Sequence, residues 1–138
     1  MNDINRTQTI SDRSTAAERT TRPHTAAEAR DTARQFLSGL APAPTAEAAE
    51  NVVLVVSELV TNALRHAGGI TGLRLTADRH TVEITVQDPS PSRPRPRHPD
   101  ITGYEGGYGL TLVNFLARFV TVTPSPEGGK KICAALGI

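Results

Sequence analysis

Residues 45–69, TAEAAENVVLVVSELVTNALRHAGG, constrain the fold of this chain more than any other stretch. No Gly or Pro interrupts them before Gly68, and the segment is too long for a strand despite its β-branched run Val52-Val53-Leu54-Val55-Val56. Thr45 can cap a helix start, Glu47 and Glu50 lie near its positive end, and Gly68-Gly69 supply the stop. At 3.6 residues per turn, Val52, Val56, Leu59, Val60, Ala63 and Ala67 form one apolar stripe. Glu58 and Asn62 form an i, i+4 pair on another face, flanked by Val55 and Leu59. A carboxylate and an amide among apolar neighbours are costly to bury unless something pairs with them. Taken alone, the pair reads more simply as polar residues facing water; the rest of the chain changes that balance.

The length of 138 residues fits one domain with a real core. A formal net charge of +1 makes no global demand for nucleic acid or an acidic membrane. There is no Trp, and no stacking platform for single strands is visible. Cys133 is alone, which excludes a disulfide frame or a metal quartet and agrees with a reducing compartment. No apolar run approaches the ~20 residues of a membrane span, and no signal-peptide core opens the chain. The expectation is a soluble, cytoplasmic protein.

Residues 1–22 are polar, carry both charge signs and lack large apolar side chains, so a disordered tail is expected there and a single domain over 23–138. Ile4 and Ile10 are too sparse to define a strand, although a short edge strand is compatible with them. A helix is expected over about 25–40, with Ala26, Ala29, Ala33, Phe36, Leu37 and Leu40 at helical spacing, before Ala41-Pro-Ala-Pro44 breaks it. After Gly69 the period changes to 2. Leu73 and Leu75, then Val82, Ile84 and Val86, alternate with polar residues around a turn at 78–80, which is a hairpin with one face on a core. The stretch 89–109, rich in Pro, Arg and then Gly, is a loop of a length usually reserved for function or disorder. Helical spacing returns over 110–118, and two closing strands run through Val120 and Val122, then Ile132, Ala134 and Leu136. This order gives an α+β two-layer domain: one mostly antiparallel sheet with helices on one face.

Two further features could carry chemistry. Asp88 ends the second strand of the first hairpin beside Pro89, where an aspartate is often a turn residue. A fixed carboxylate there could instead accept from the exocyclic amine of a purine and reject a 6-keto purine, which turns an acceptor toward it. Glycines in Gly103-Tyr-Glu-Gly-Gly-Tyr-Gly-Leu110 permit close backbone approach, and their N–H groups with the following helix start can face an anion. Neither the P-loop spacing nor a dinucleotide fingerprint is present.

Glu58 and Asn62 on a helix, Asp88 at a strand end and glycines before a helix lie in a set order. SELVTNALRHAGG (57–69), VQDPSPSRPRPR (86–97), GGYGLTLV (106–113) and GGK (128–130) together resemble the GHKL superfamily of ATP-binding domains. That superfamily includes histidine-kinase catalytic domains and the gyrase-type and heat-shock-chaperone ATPases. Within it the chain looks most like the anti-sigma-factor serine kinases in their actinomycete form, over about residues 25–136. The resemblance implies a Bergerat-type two-layer α/β sandwich with a mixed, mostly antiparallel sheet. It implies ATP and Mg²⁺ as cofactors, with Asn62 holding the metal, Glu58 polarising the attacking hydroxyl and Asp88 binding adenine. Gly106, Gly107, Gly109 and Leu110 would then lie at the phosphate lid. The implied function is a serine/threonine protein kinase that binds a sigma factor and phosphorylates an anti-anti-sigma antagonist, as a homodimer. The alternative is an ATP-gated protein-binding regulator with little or no kinase activity.

The departures bear on that choice. Many relatives have Arg where this chain has Tyr108, so a lid cation is absent, and Lys131 is expected at a position where relatives often carry an adenine-site Thr. The Arg/Pro loop 92–97 reads as solvated spacing more readily than as a partner contact. His66, at the end of the central helix, is explained by the helix dipole rather than as a phospho-acceptor. Cys133 is expected to be a small core or half-buried residue.

Overall fold

The computed structural model describes residues 17–90 and 107–138, the side chains of 107–110 excepted. The elements run β1 (Ala17–Thr21), α1 (Ala26–Ser38), α2 (Ala46–His66), β2 (Gly72–Ala77), β3 (Thr81–Asp88), α3 (Gly107–Leu116), β4 (Phe119–Pro124) and β5 (Lys130–Gly137). The five strands form one sheet in the order β1-β2-β3-β5-β4, and each described pairing is antiparallel, in line with the mostly antiparallel sheet expected. Both hairpins join neighbouring strands by short turns, so no crossover between parallel strands is needed.

Alternation fixes which face of the sheet meets the helices. Leu73 and Leu75 on β2, Val82, Ile84 and Val86 on β3, and Ile132, Ala134 and Leu136 on β5 are all buried. The residues that alternate with them along β2 and β3, Arg74, Thr76, Glu83 and Thr85, point to the other, wetter face. The three helices cover the apolar face, with α2 in the middle: it packs on β3 and β5 and touches both α1 and α3. That position explains why more of α2 is buried than one stripe requires. Val53 and Val55 are buried along with Val52, Val56, Leu59, Val60 and Ala63, because neighbours cover its flanks as well as its base. Ala67, the last member of the expected stripe, is the C-cap and is half-buried.

The starts of α1 and α2 are chemically marked. Thr45 Oγ1 accepts from the Ala48 N–H at 3.1 Å, and Thr25 Oγ1 accepts from the Glu28 N–H at 3.0 Å. Glu28 also accepts from the His24 N–H at 2.8 Å, tying the residue before the cap to the first turn. At the far end of α2, Gly68 turns the chain with φ 78°, a left-handed conformation that a side chain disfavours.

Two expectations need correction. Residues 17–21 belong to the sheet rather than to a tail that runs to residue 22. β1 pairs antiparallel with β2, and the Arg74 Nε–Glu18 Oε2 ion pair at 2.8 Å ties the two strands together. The segment AERTT has no apolar alternation and none of its residues is fully buried, so it is held by ladder hydrogen bonds that hydrophobic periodicity does not report. Residues 1–16 lie outside the described residues. The second correction is at α3, which starts at Gly107 rather than at 109–110 and ends at Leu116. The glycines are thus in its first turn, where backbone N–H groups still lack intrahelical acceptors.

Leu59 is fully buried at the centre of α2, against the sheet. Leu59→Ala is expected to cost about 2–5 kcal/mol, read as a lowered midpoint in urea with an unchanged slope. Thr45→Ala removes only the cap and should cost about 1 kcal/mol in the same measurement.

Candidate functional site

The inner-face alternation of β3 continues to its last residue. After Val82, Ile84 and Val86 comes Asp88, 2% exposed, a carboxylate placed where an apolar side chain would normally point. The same parity operates on β5. Counting back from Leu136, Ala134 and Ile132, the next inward position is Lys130, which is 7% exposed and stands directly opposite Asp88 in the β3–β5 register. Lys130 Nζ lies 3.0 Å from Asp88 Oδ1 and donates to it, and it also donates to the Ser90 carbonyl at 3.3 Å. The Ser90 N–H donates to the same Oδ1 at 2.9 Å. A buried charge of either sign would be prohibitive alone; here each neutralises the other.

Lys131, expected at the adenine-site position, pairs with Gln87 and lies on the opposite, half-buried face. The residue that shares the face and register of Asp88 is Lys130. Because side chains alternate across a strand, one residue decides which face is occupied.

The turn between β4 and β5 closes over this end of the sheet. Gly128 adopts φ 108°, and a Cβ on Gly129 would lie 1.9 Å from the Asp88 carbonyl oxygen and 2.9 Å from Pro89 Cα. Only glycine lets the turn approach the strand end this closely. Gln87 Nε2 donates to Ser125 Oγ at 2.9 Å and to Glu127 Oε1 at 3.3 Å, and the Ser125 hydroxyl also bonds Glu127. The Ser125 hydroxyl holds the exposed Glu127 carboxyl below the usual carboxylate range. On the same outer face, burial pushes the Cys133 thiol up, and the residue is half-buried as expected.

Glu58 and Asn62 are half-buried, one turn apart on α2. Arg30 Nη1 of α1 donates to Ser57 Oγ at 3.1 Å, which places α1 on the Ser57 side of α2. By helical geometry Glu58 and Asn62 are turned toward the other flank, beside the fully buried Val55, where α3 packs. Among the described residues neither side chain has a hydrogen bond or ion pair. An acceptor pair left open beside apolar neighbours, next to the helix that begins with Gly107, is what a ligand bearing a cation would require. Among the described residues no group of three or more His, Cys, Asp or Glu could hold a metal ion. A Mg²⁺ ion held through one amide oxygen, water and phosphate would fit these residues, since that ion keeps most of its water.

Gly107, Gly109 and Leu110 occupy the first turn of α3, while Gly106 and the loop 92–97 lie outside the described residues. Arg65 and His66 are in the last turn of α2, at its negative end. The structure therefore brings together Asp88, Ser90, Lys130 and Gly129 at one point, and Glu58 and Asn62 at another on the same helix-covered side. Sequence reasoning missed Lys130, Ser90 and the turn network of Gln87, Ser125 and Glu127. The signal for Lys130 was present in the parity of 130, 132, 134 and 136.

Fold and site together define a helix-covered antiparallel sheet with a buried acidic residue at a strand end and an open Glu/Asn pair on the central helix. The family described as histidine kinase-like ATPase domain matches residues 20–135. The chain belongs to that family, and the match begins inside β1, in agreement with the strand's place in the sheet. No curated protein matches the chain significantly. No helix among the described residues is long and apolar enough to cross a membrane.

The Gly129 contact gives a direct test. Gly129→Ala should destabilise the domain by about 1–3 kcal/mol or more and shift the amide resonances of Asp88 and Ser90. Gly72→Ala, where a Cβ meets nothing within 4 Å, serves as the control and should leave both nearly unchanged.

Proposed function

We propose that this chain is an ATP-binding regulatory domain of the anti-sigma-factor kinase type. In this reading it binds a sigma factor and phosphorylates a serine or threonine on an anti-anti-sigma antagonist. The observation that carries the reading is the open, half-buried Glu58/Asn62 pair on α2, in a chain of the histidine kinase-like ATPase family. Asn62 would hold Mg²⁺ through its amide oxygen. Asp88 would accept from the base, and the first-turn N–H groups of α3 at Gly107, Gly109 and Leu110 would face phosphate oxygens. Bound ATP supplies the phosphoryl group, and Mg²⁺ neutralises its charge. The chain's own task is then positioning: Glu58 accepts the proton of the incoming hydroxyl and orients that oxygen.

A second reading has a specific observation behind it. Lys130 already engages the carboxylate that would bind the base, and Tyr108 stands where relatives place a lid cation. Both features favour an ATP-gated regulator with little transfer chemistry. Partner phosphorylation separates the two, because only the kinase requires Glu58 for turnover.

Titration with ATP, with and without Mg²⁺, tests the pocket. Asn62→Ala should abolish the metal-dependent gain in affinity and keep the fold by circular dichroism. Equal affinity of that variant and the native chain in Mg²⁺ would remove Asn62 as the ligand. Glu58→Ala should keep nucleotide binding and lose transfer to an antagonist protein by about 10²-fold or more, measured with labelled ATP. Native-rate transfer in that variant would remove Glu58 as the base.

A further inference from the structure

The two edges of the sheet are guarded unequally. β1 closes one side with AERTT, whose Glu18 and Arg19 put charge on that edge, a device that discourages pairing with another chain. β4 closes the other side with FVTVTP, which has no charged residue, and among the described residues no strand pairs with its free side. Phe119, at its start, is 50% exposed, and Phe115, in the last turn of α3 just ahead of it, is 83% exposed. The Ser125 N–H donates to the Gly129 carbonyl at 2.8 Å, which sets the phase of the β4–β5 ladder. Hydrogen-bonded pairs alternate along an antiparallel ladder, so Thr121 and Thr123 turn their backbone groups toward β5. Val120 and Val122 therefore turn theirs to the open side. Their side chains pack against the core, whereas Phe119, Thr121 and Thr123 are exposed on the wet face.

We propose that β4 is a self-association edge: it pairs antiparallel with β4 of a second copy about a two-fold axis through Thr121, and one sheet continues through both molecules. In that register Val120 stands opposite Val122 of the second copy, and each donates to and accepts from the other. The two-fold repeats the exchange, so every backbone polar group that these two valines turn outward is used. A register centred on Val122 would instead set the Val120 carbonyl against Pro124, which has no N–H. The faces match as well. Strand parity keeps the valines on the core side of both copies and places Phe119 on the wet side, opposite Thr123 of the second copy, where an aromatic and a β-branched side chain form a favourable cross-strand pair. Charge selects a second copy as the occupant: the edge is neutral, so pairing with itself opposes no like charges, which the Glu18 and Arg19 of β1 would not allow at the other edge in every register.

The edge uses none of the residues assigned to the nucleotide, so the test needs no ligand and its failure leaves the nucleotide reading untouched. Sedimentation equilibrium of the native chain should give the mass of a dimer at about 100 μM. Thr121→Lys sets like charges face to face on the axis, at a side chain exposed in the single copy, and should weaken association by about 10-fold or more with an unchanged circular dichroism spectrum. Thr121→Cys, made together with Cys133→Ser because Cys133 is its cross-strand neighbour on β5, should link two copies under mild oxidation. Residues facing each other in a non-hydrogen-bonded pair have Cα atoms about 4.5 Å apart, which suits a disulfide. Thr123→Cys in the same background lies off the axis and should link on the order of 10-fold more slowly. A native chain that stays monomeric overturns the inference. A dimer that Thr121→Lys leaves intact puts the interface elsewhere and also overturns it. Equal linking by the two cysteine variants overturns the register about Thr121 and the proposal with it. Should Thr121→Lys fail to fold, the cysteine pair decides alone.

Discussion

The burial of α2 against the inner face of the sheet is the contact on which the other elements depend. Val52, Val55, Val56, Leu59 and Val60 are fully buried together with Leu73, Leu75, Val82, Ile84, Val86 and Ile132. Each such side chain contributes about 1.5–3 kcal/mol on leaving water, which outweighs the intrinsic reluctance of a β-branched run to be helical, a few tenths of a kcal/mol per residue. The same burial selects the strand register, because a slip by one residue would turn Leu73, Ile84 and Ile132 out to water. With that face fixed, α1 and α3 have only the flanks of α2 left to cover. The polar residues of α2 are then distributed by what remains: Ser57 bonds to α1, and Glu58 and Asn62 are left toward α3.

The parity that fixes the core also fixes the chemistry at its edge. Asp88 and Lys130 occupy inward positions at the end of β3 and the start of β5 because every second residue before or after them is apolar and buried. A single charged residue there would destabilise the edge of the core by several kcal/mol, and removing one member of a buried pair typically costs 3–5 kcal/mol. Such a pair adds little net stability compared with well-packed apolar residues. The pair sits at the strand end, covered by a turn that needs Gly129. The polar network of Gln87, Ser125 and Glu127 on the other face holds that same turn from outside, so both faces of the sheet converge on one loop.

Much of this was legible in the sequence because hydrophobic period is a direct image of burial. The helix over 46–66, both hairpins and the helix-on-one-face arrangement follow from the 3.6 and 2.0 periods of Val, Leu and Ile positions. β1 was not legible, since AERTT is a half-wet edge whose hold on the sheet is backbone pairing and one ion pair. The start of α3 was misread because glycine is a poor helix former, yet in a first turn it gives up little and leaves its N–H groups available. Glu58, Asn62 and Asp88 stood out only as an ordered set that resembles a family; their partners did not. Lys130 could have been found by extending the parity of Ile132, Ala134 and Leu136 back by one step. Motif alignment instead pointed to Lys131, because alignment counts residues along the chain whereas a site is built from the face they share.

The two ends of the candidate site are prepared in opposite ways, and this contrast carries the functional argument. At Glu58 and Asn62 the polar atoms lack partners among the described residues, so a ligand that brings a hydrated cation meets groups already oriented and gains their hydrogen bonds without breaking others. At Asp88 the acceptor is already engaged, and a ligand must exchange contacts with Lys130 and Ser90 instead of adding new ones. In the proposed nucleotide-binding reading the first end would supply most of the affinity, because an exchange of similar hydrogen bonds at the second yields little net free energy.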